Sequence, residues 1–321
     1  MKSPNDPLKL AYDAHARLAR GVNIGPDFGA QLERGWTITI ERHHLEACAE
    51  SGFTAIRLLV YLSAHRDRTG LDATMLRRLE TIVDEATALG LAVVISNHRD
   101  PELLRDPDAH LADTLTTVAD LSAAFKGRGC ELVIEPLSEP EQALDTVWNQ
   151  IGTELIGAVR ARDQKRTILI GPRTMNNARF LGELSLPNEE QNLIVGIHHY
   201  WPITFTMQGE MFLGEDHVFG NPRDWLGTTW EQTPSQEAEL RTGFDQVAAW
   251  SAATRRPLFL AEFGTSSNAD LASRVRWTRF NRRLAEDRGI PWAIWSLGPL
   301  FAIYDVNTNS FMPELITALM D

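Results

Sequence analysis

The sequence predicts a (β/α)8 barrel, the TIM-barrel fold, as a single catalytic-sized domain over residues 1–321. Three observations carry this prediction. Eight short apolar runs recur along the chain, helix-like amphipathic segments separate them, and the runs show no polar alternation. Strands apolar on both faces belong to a parallel sheet covered on its outside. A count of eight favours closure into a barrel over an open doubly wound sheet. The open sheet's usual GxGxxG turn is also missing, because GVNIGPDFG has no such pattern.

The elements follow in order. The run ARGVNIG (19–25) precedes the helical segment ERHHLEACAESG, and TAIRLLV (54–60) precedes DATMLRRLETIVDEATALG. LAVVISNH (91–98) is followed by DAHLADTLTTVADLSAAFKGRG, and ELVIEPLSE (131–139) by EQALDTVWNQIGTELIGAVRARD. RTILIG (166–171) has a shorter helix after it, near MNNARFLGEL. LIVGIHHY (193–200) leads into a long aromatic, Gly- and Pro-rich loop at about 202–233, then PSQEAELRTGFDQVAAWSAATRR. PLFLAEF (257–263) is followed by ADLASRVRWTRFNRRLAEDRG, and PWAIWSL (291–297) by MPELITALM. Gly90 and Gly289 stand where helix C-caps are expected. A loop as long as 202–233 in a compact domain is usually functional.

Composition narrows the function classes. The chain is 43% hydrophobic and 23% charged, with a net charge of −12. There is no basic block, so nucleic acid is not an expected partner. No run approaches the ~18 apolar residues of a membrane span. The first residues lack the apolar core of a signal peptide, so the expected compartment is cytoplasmic, or extracellular if a leader was trimmed. Cys48 and Cys130 read as small buried hydrophobes rather than a disulfide framework or metal ligands. The protein is expected to act as a monomer.

Polar side chains gather where strands end. Glu139 closes ELVIEPLSE and Glu262 lies near the end of PLFLAEF; Pro140 and Gly264 follow them. Ionisable groups at such places are costly in a core, so two of them at one barrel mouth point to an acid and a nucleophile. Asn23, Arg57, His98, Ser138, His198, Tyr200 and Trp295 are expected at the same mouth. Strand periodicity turns His198 and Tyr200 one way and His199 the other. Arg57 lies inside an apolar run and needs an acidic partner; either carboxylate is a candidate. No metal and no cofactor are called for: HExxH, CxxC and a first-strand HxH are absent, and GxSxG is absent too. A carboxylate pair suits glycoside cleavage.

These segments resemble glycoside hydrolase family 5, a retaining β-glycanase family of (β/α)8 barrels, and most of all its bacterial endo-β-1,4-glucanases, some of which also cut mannan. The likeness runs from RGVNIG to the last helix, through HHYWPITFTMQGE, LAEFGTSSNADLASRVRWTRFNRRLAEDRG and WAIWSLGPLFAIYD. It implies Glu139 as general acid/base and Glu262 as nucleophile. It implies that Arg57 and Tyr200 hold Glu262 ionised and that His198 modulates Glu139. Asn23 and His98 would bind sugar hydroxyls, and Trp295 would lie under that sugar. Four departures are visible. Ser138 stands where the family usually has Asn, Leu62 where it has Trp, and Arg99 where it has the second His of a pair. The sixth loop reads Met207-Gln208-Gly209-Glu210-Met211-Phe212 instead of His-Gln-Gly-x-x-Trp. The implied activity is a retaining, endo-glucanase-like hydrolase acting on an oligo- or polysaccharide. A carbohydrate-binding barrel with reduced catalysis, a β-mannanase and a transglycosylase are the alternatives. For the last, Trp201, Trp225 and Trp230 would grip an acceptor sugar.

Overall fold

The structure is a computed structural model that describes residues 6–28, 39–67 and 70–321. Eight parallel strands close into a barrel: β1 (Arg20–Phe28), β2 (Ala55–Val60), β3 (Ala92–Asn97), β4 (Leu132–Glu135), β5 (Thr167–Ile170), β6 (Leu193–His199), β7 (Leu258–Phe263) and β8 (Trp292–Ile294). Each pairs with its neighbours in sequence, and β8 closes on β1 through Arg20–Trp292 and Val22–Ile294. Two short antiparallel ribbons, Arg66–Asp67 with Gly70–Leu71 and Tyr304–Asp305 with Ser310–Phe311, lie outside the barrel. Helices cover the outside, most of them starting at a side-chain cap. Asp72, Asp106 and Asp270 each accept from an N–H in the first turn, and Thr233 forms a capping box with Gln236. Gly90 and Gly289 have positive φ just beyond their helices, where a side chain would be strained.

Three helical expectations change. The stretch at MNNARFLGEL is no regular helix; it folds as two short turns, Arg173–Asn176 and the 3-10 segment Ala178–Glu183. The segment after β4 begins with a 3-10 turn, Gln142–Thr146, and its helix starts only at Trp148. A helix not foreseen, Pro7–Arg17, is capped by Asp6 and opens with Pro at its first position. Its Ala14 and Leu18 close the bottom of the barrel against Ala55, Ala92, Val94, Val133 and Ile194.

The period of two along each strand divides the barrel interior by height. Ala55, Ala92, Val133, Phe259 and Ala293 fill the lower layers. Two residues further up, the same inward rows carry Arg57, Glu135 and Trp295. Side chains of the alternate rows, such as Ile56, Ile95, Ile134 and Leu260, pack under the helices.

Candidate active site

Arg57 organises the upper interior. It is fully buried, and its guanidinium makes five hydrogen bonds. Nε donates to Glu135 Oε2 at 2.8 Å, and Nη1 donates to Glu262 Oε1 at 2.7 Å and Asn23 Oδ1 at 2.8 Å. Nη2 donates to Ser138 Oγ at 2.7 Å and Ser96 Oγ at 3.2 Å. The acidic partners of Arg57 are therefore Glu262 and Glu135, not Glu139. With two carboxylates against it, the guanidinium stays charged despite its burial.

Glu262 reaches this site through an irregularity in β7. The register with β6 runs Ile197–Leu260 and then His198–Glu262; with β8 it runs Trp292–Leu260 and then Ile294–Phe263. One extra residue is thus accommodated at Ala261–Glu262, as in a β-bulge. Ala261 lies in the barrel interior, and Phe263 packs outward against Trp277 and Trp292. Strict alternation would have sent Glu262 out and Phe263 in.

The second oxygen of Glu262 accepts from Tyr200 Oη at 2.9 Å. Glu139 sits opposite, on left-handed backbone at φ 53°, and is the more open of the two carboxyls, with 17% of its side chain exposed. His198 Nδ1 lies 2.9 Å from Glu139 Oε1 and 3.4 Å from Glu262 Oε2. Oxygens of the two carboxyls lie within 4.8 Å of each other. Retaining glycosidases hold their carboxyls ~5–5.5 Å apart and inverting ones ~6.5–9.5 Å; a nearest approach under 4.8 Å lies on the short side of that range. Among the described residues, Glu139, His198 and Glu262 are also the one group with the composition of a metal site.

Burial sets the protonation states. It pushes Glu139 up, with Arg99 and Arg57 pulling down and Glu135 pushing up. Glu135 therefore joins Glu262 as an anionic neighbour of Glu139, since the repulsion between Glu139 and Glu262 acts on both. Burial also pushes Glu262 up; His198 and Arg57 pull it down, and Glu139 opposes them. The hydrogen bonds from Arg57 and Tyr200 favour its ionised form. Desolvation lowers His198 to about 4 and keeps His98 neutral.

The remaining sequence-predicted residues divide. His98 and Trp295 line the cleft, each less than a tenth exposed, with rings stacked 5.5 Å apart. Asn23 does not face the cleft, which corrects the sugar-binding role expected for it. It is fully buried, and its Nδ2 is directed at the carbonyls of Ala261, Ala293 and Ile294 while Oδ1 accepts from Arg57. Ser138 is likewise fully buried and turned to Arg57, so its hydroxyl supports the guanidinium. Leu62 is buried, and Gln208 holds the loop after β6 by bonding Phe205 O, Thr228 O and Gly227 N–H. Of the three indoles, Trp201 lines the cleft, whereas Trp225 packs within the loop, its Nε1 donating to Phe219 O, and Trp230 packs beneath it on Phe280. His199 faces outward and stacks on Trp277.

Sequence reading missed Glu135, Ser96 and Asn176. Glu135 carried the same signal as the two chosen carboxylates, an acid in an apolar run before Pro136. Nothing marked Asn176, which lies in the stretch read as a helix.

The cleft measures about 1590 Å3, more than the roughly 300–1,000 Å3 of most small-molecule pockets. The family model Cellulase (glycosyl hydrolase family 5) matches residues 25–300. The chain belongs to glycosyl hydrolase family 5. Its (β/α)8 barrel is that of the family's solved members. Cel5A of Thermotoga maritima, solved with cellobiose, is 31% identical, covers 97% of this chain with all of its own, and superposes with a TM-score of 0.91. Crystals of the same protein with mannotriose give 30% identity and the same TM-score. Among curated relatives, Endoglucanase H of Acetivibrio thermocellus is 24% identical over 98% of this chain. Endoglucanase 1 of Ruminococcus albus is 22% identical over 91% of it. The chain spans 34% of Endoglucanase H, and 75% of Endoglucanase 1.

Proposed function

We propose that this family 5 protein is a retaining β-glycoside hydrolase that cuts a β-1,4-linked glucan, or a related mannan, within the polymer. Glu139, protonated, gives its proton to the glycosidic oxygen as the bond to the anomeric carbon breaks. Glu262 attacks that carbon and forms a glycosyl ester. The freed sugar leaves, Glu139 takes a proton from water, and the resulting hydroxide equivalent displaces Glu262 with net retention. Arg57 and Tyr200 keep Glu262 ionised and aimed; His98 and Trp295 form the wall against which a pyranose packs. One observation carries this reading: the buried Glu262 carboxyl, held by Arg57 and Tyr200, lies within 4.8 Å of the partly exposed Glu139 carboxyl, which is pushed toward its protonated form. The names of the relatives, endoglucanases crystallised with cellobiose or mannotriose, favour glucan and mannan as first substrates.

The test is trapping with a 2-deoxy-2-fluoro glycoside bearing an activated leaving group, followed by peptide mass analysis. A label on Glu262, together with loss of turnover in Glu262→Gln, supports the proposal. Sugar binding without label or turnover rejects it in favour of a carbohydrate-binding barrel, and full turnover in Glu262→Gln rejects Glu262 as the nucleophile. Soluble β-glucans, mannans and xylans compared side by side assign the polymer.

A further inference from the structure

Thr174, Met175 and Asn176 lie in succession on left-handed backbone, with φ of 57°, 59° and 54°. Left-handed backbone strains Thr174 and Met175, while an Asn adopts it more readily. Such a turn persists where its surroundings over-determine it, and these cluster at functional sites. Here Asp145 Oδ1 accepts from the Thr174 N–H at 2.7 Å, and Pro140 O accepts from the Met175 N–H at 2.9 Å. Pro140 directly follows Glu139. The turn delivers Asn176, fully buried, to His198: Asn176 Nδ2 lies 3.2 Å from His198 Nε2. Gly171 leaves the room, since a Cβ there would come within 2.6 Å of Asn176 Cγ.

The chemistry of that contact selects a tautomer. An amide nitrogen donates and has no lone pair to accept with, so His198 Nε2 must present its own lone pair. The neutral ring then carries its proton on Nδ1, which points at Glu139 Oε1 and lies near Glu262 Oε2. Turning the Asn176 amide over would put a buried NH2 where its Oδ1 now stands without a partner. An orphan buried donor is rarer than an under-satisfied carbonyl, which favours the present orientation. Charged or titratable groups acting on the ring are Glu139, Glu262, Arg57, Glu135 and His98. Burial holds the ring at about 4, so it is neutral where Glu139 works.

We infer that Asn176 is a positioning residue: by fixing His198 as the Nδ1–H tautomer it ties up Glu139 Oε1 and leaves Oε2 to carry the proton given to the leaving group. The catalytic half of this inference rests on Glu139 being the acid; the tautomer does not.

Nitrogen-15 NMR of the histidine-labelled full chain reads the tautomer directly. At neutral pH the wild-type His198 should show a protonated Nδ1 and a bare Nε2, and Asn176→Asp should move the proton to Nε2. Protonation at Nε2, or of both nitrogens, in the wild type overturns the inference, whether or not any glycoside is cleaved. The kinetic arm uses Asn176→Leu and Asn176→Asp on aryl glycosides. General acid catalysis contributes roughly 10²–10⁴-fold, so kcat/KM, which reports the glycosylation step, should fall at least about tenfold for phenyl leaving groups. Dinitrophenyl glycosides need no acid in that step, so their kcat/KM should stay within about twofold. Equal losses on both leaving groups would reduce Asn176 to a structural role.

Discussion

Replacing Arg57 by Met tests the electrostatic core of the site. The substitution keeps an unbranched side chain and removes five hydrogen bonds and the cation between two buried carboxylates. Arg57 and both acids are 3% exposed or less, so water does not replace it. Removing one partner of a buried pair costs about 3–5 kcal/mol, because the charge left behind is unpaired. Unfolding entropy of ~2.1 cal/mol/K per residue over 321 residues turns this into a fall in Tm of about 4–7 °C. The loss has a pH signature. Burial already pushes Glu262 up, and Arg57 is one of the groups pulling it down. Without Arg57 its folded-state pKa rises further above the unfolded value of about 4.3. A raised folded pKa means that the folded chain binds more protons, so stability is lost as pH climbs through that range. The penalty should therefore be small near pH ~4 and full near neutrality. Urea melts at a series of pH values measure it, with m-values checking that the transition is unchanged. Adding Glu135→Gln should recover part of the loss by removing one stranded charge. A penalty that is the same at acid and neutral pH, or below about 1 kcal/mol at neutrality, would refute the reasoning.

Tyr200→Phe removes the hydrogen bond to Glu262 Oε2 and leaves the ring; a bond to a charged group contributes about 1.5–3 kcal/mol, so kcat should fall roughly 10–100-fold while Tm falls by only about 2–4 °C. Arg99→Gln deletes the largest influence pulling Glu139 down and frees Glu141 as a nearby anion. Both changes favour protonated Glu139, so the basic limb of the kcat profile should move to higher pH; a shift toward acid contradicts the assigned polarity. Trp230→Ala, in the fully buried indole beneath the loop after β6, should cost about 3–5 kcal/mol by calorimetry. Its KM for soluble substrate should change far less than that of a Trp201→Ala variant, since Trp201 alone of the two lines the cleft.

Much of the site was legible because polar residues in apolar strands have few innocent explanations. Glu139, Arg57, His198 and Tyr200 stood out as charged or hydrogen-bonding groups where a core was expected. Asn23 and Ser138 were legible as polar residues at strand ends but not in their orientation. Whether such a side chain faces substrate or a buried guanidinium depends on what occupies the barrel axis, and Arg57 occupies it. The turn at Arg173–Asn176 escaped because its left-handed backbone is held by Asp145 and Pro140, far away in sequence, and the 3-10 segment Ala178–Glu183 follows from it.

By itself, the order of residues determined the count of strands, their burial on both faces and the chemical types gathered at their ends. These follow from hydrophobic period and from the cost of hiding charge, both of which are local to the chain. Only the folded barrel decided which way Glu262 points. An alternating strand would have turned it out among the helices, and the extra residue accommodated between β6 and β8 turns it inward, onto Arg57 and Tyr200. That choice belongs to the register of three strands together, and no single run of residues contains it.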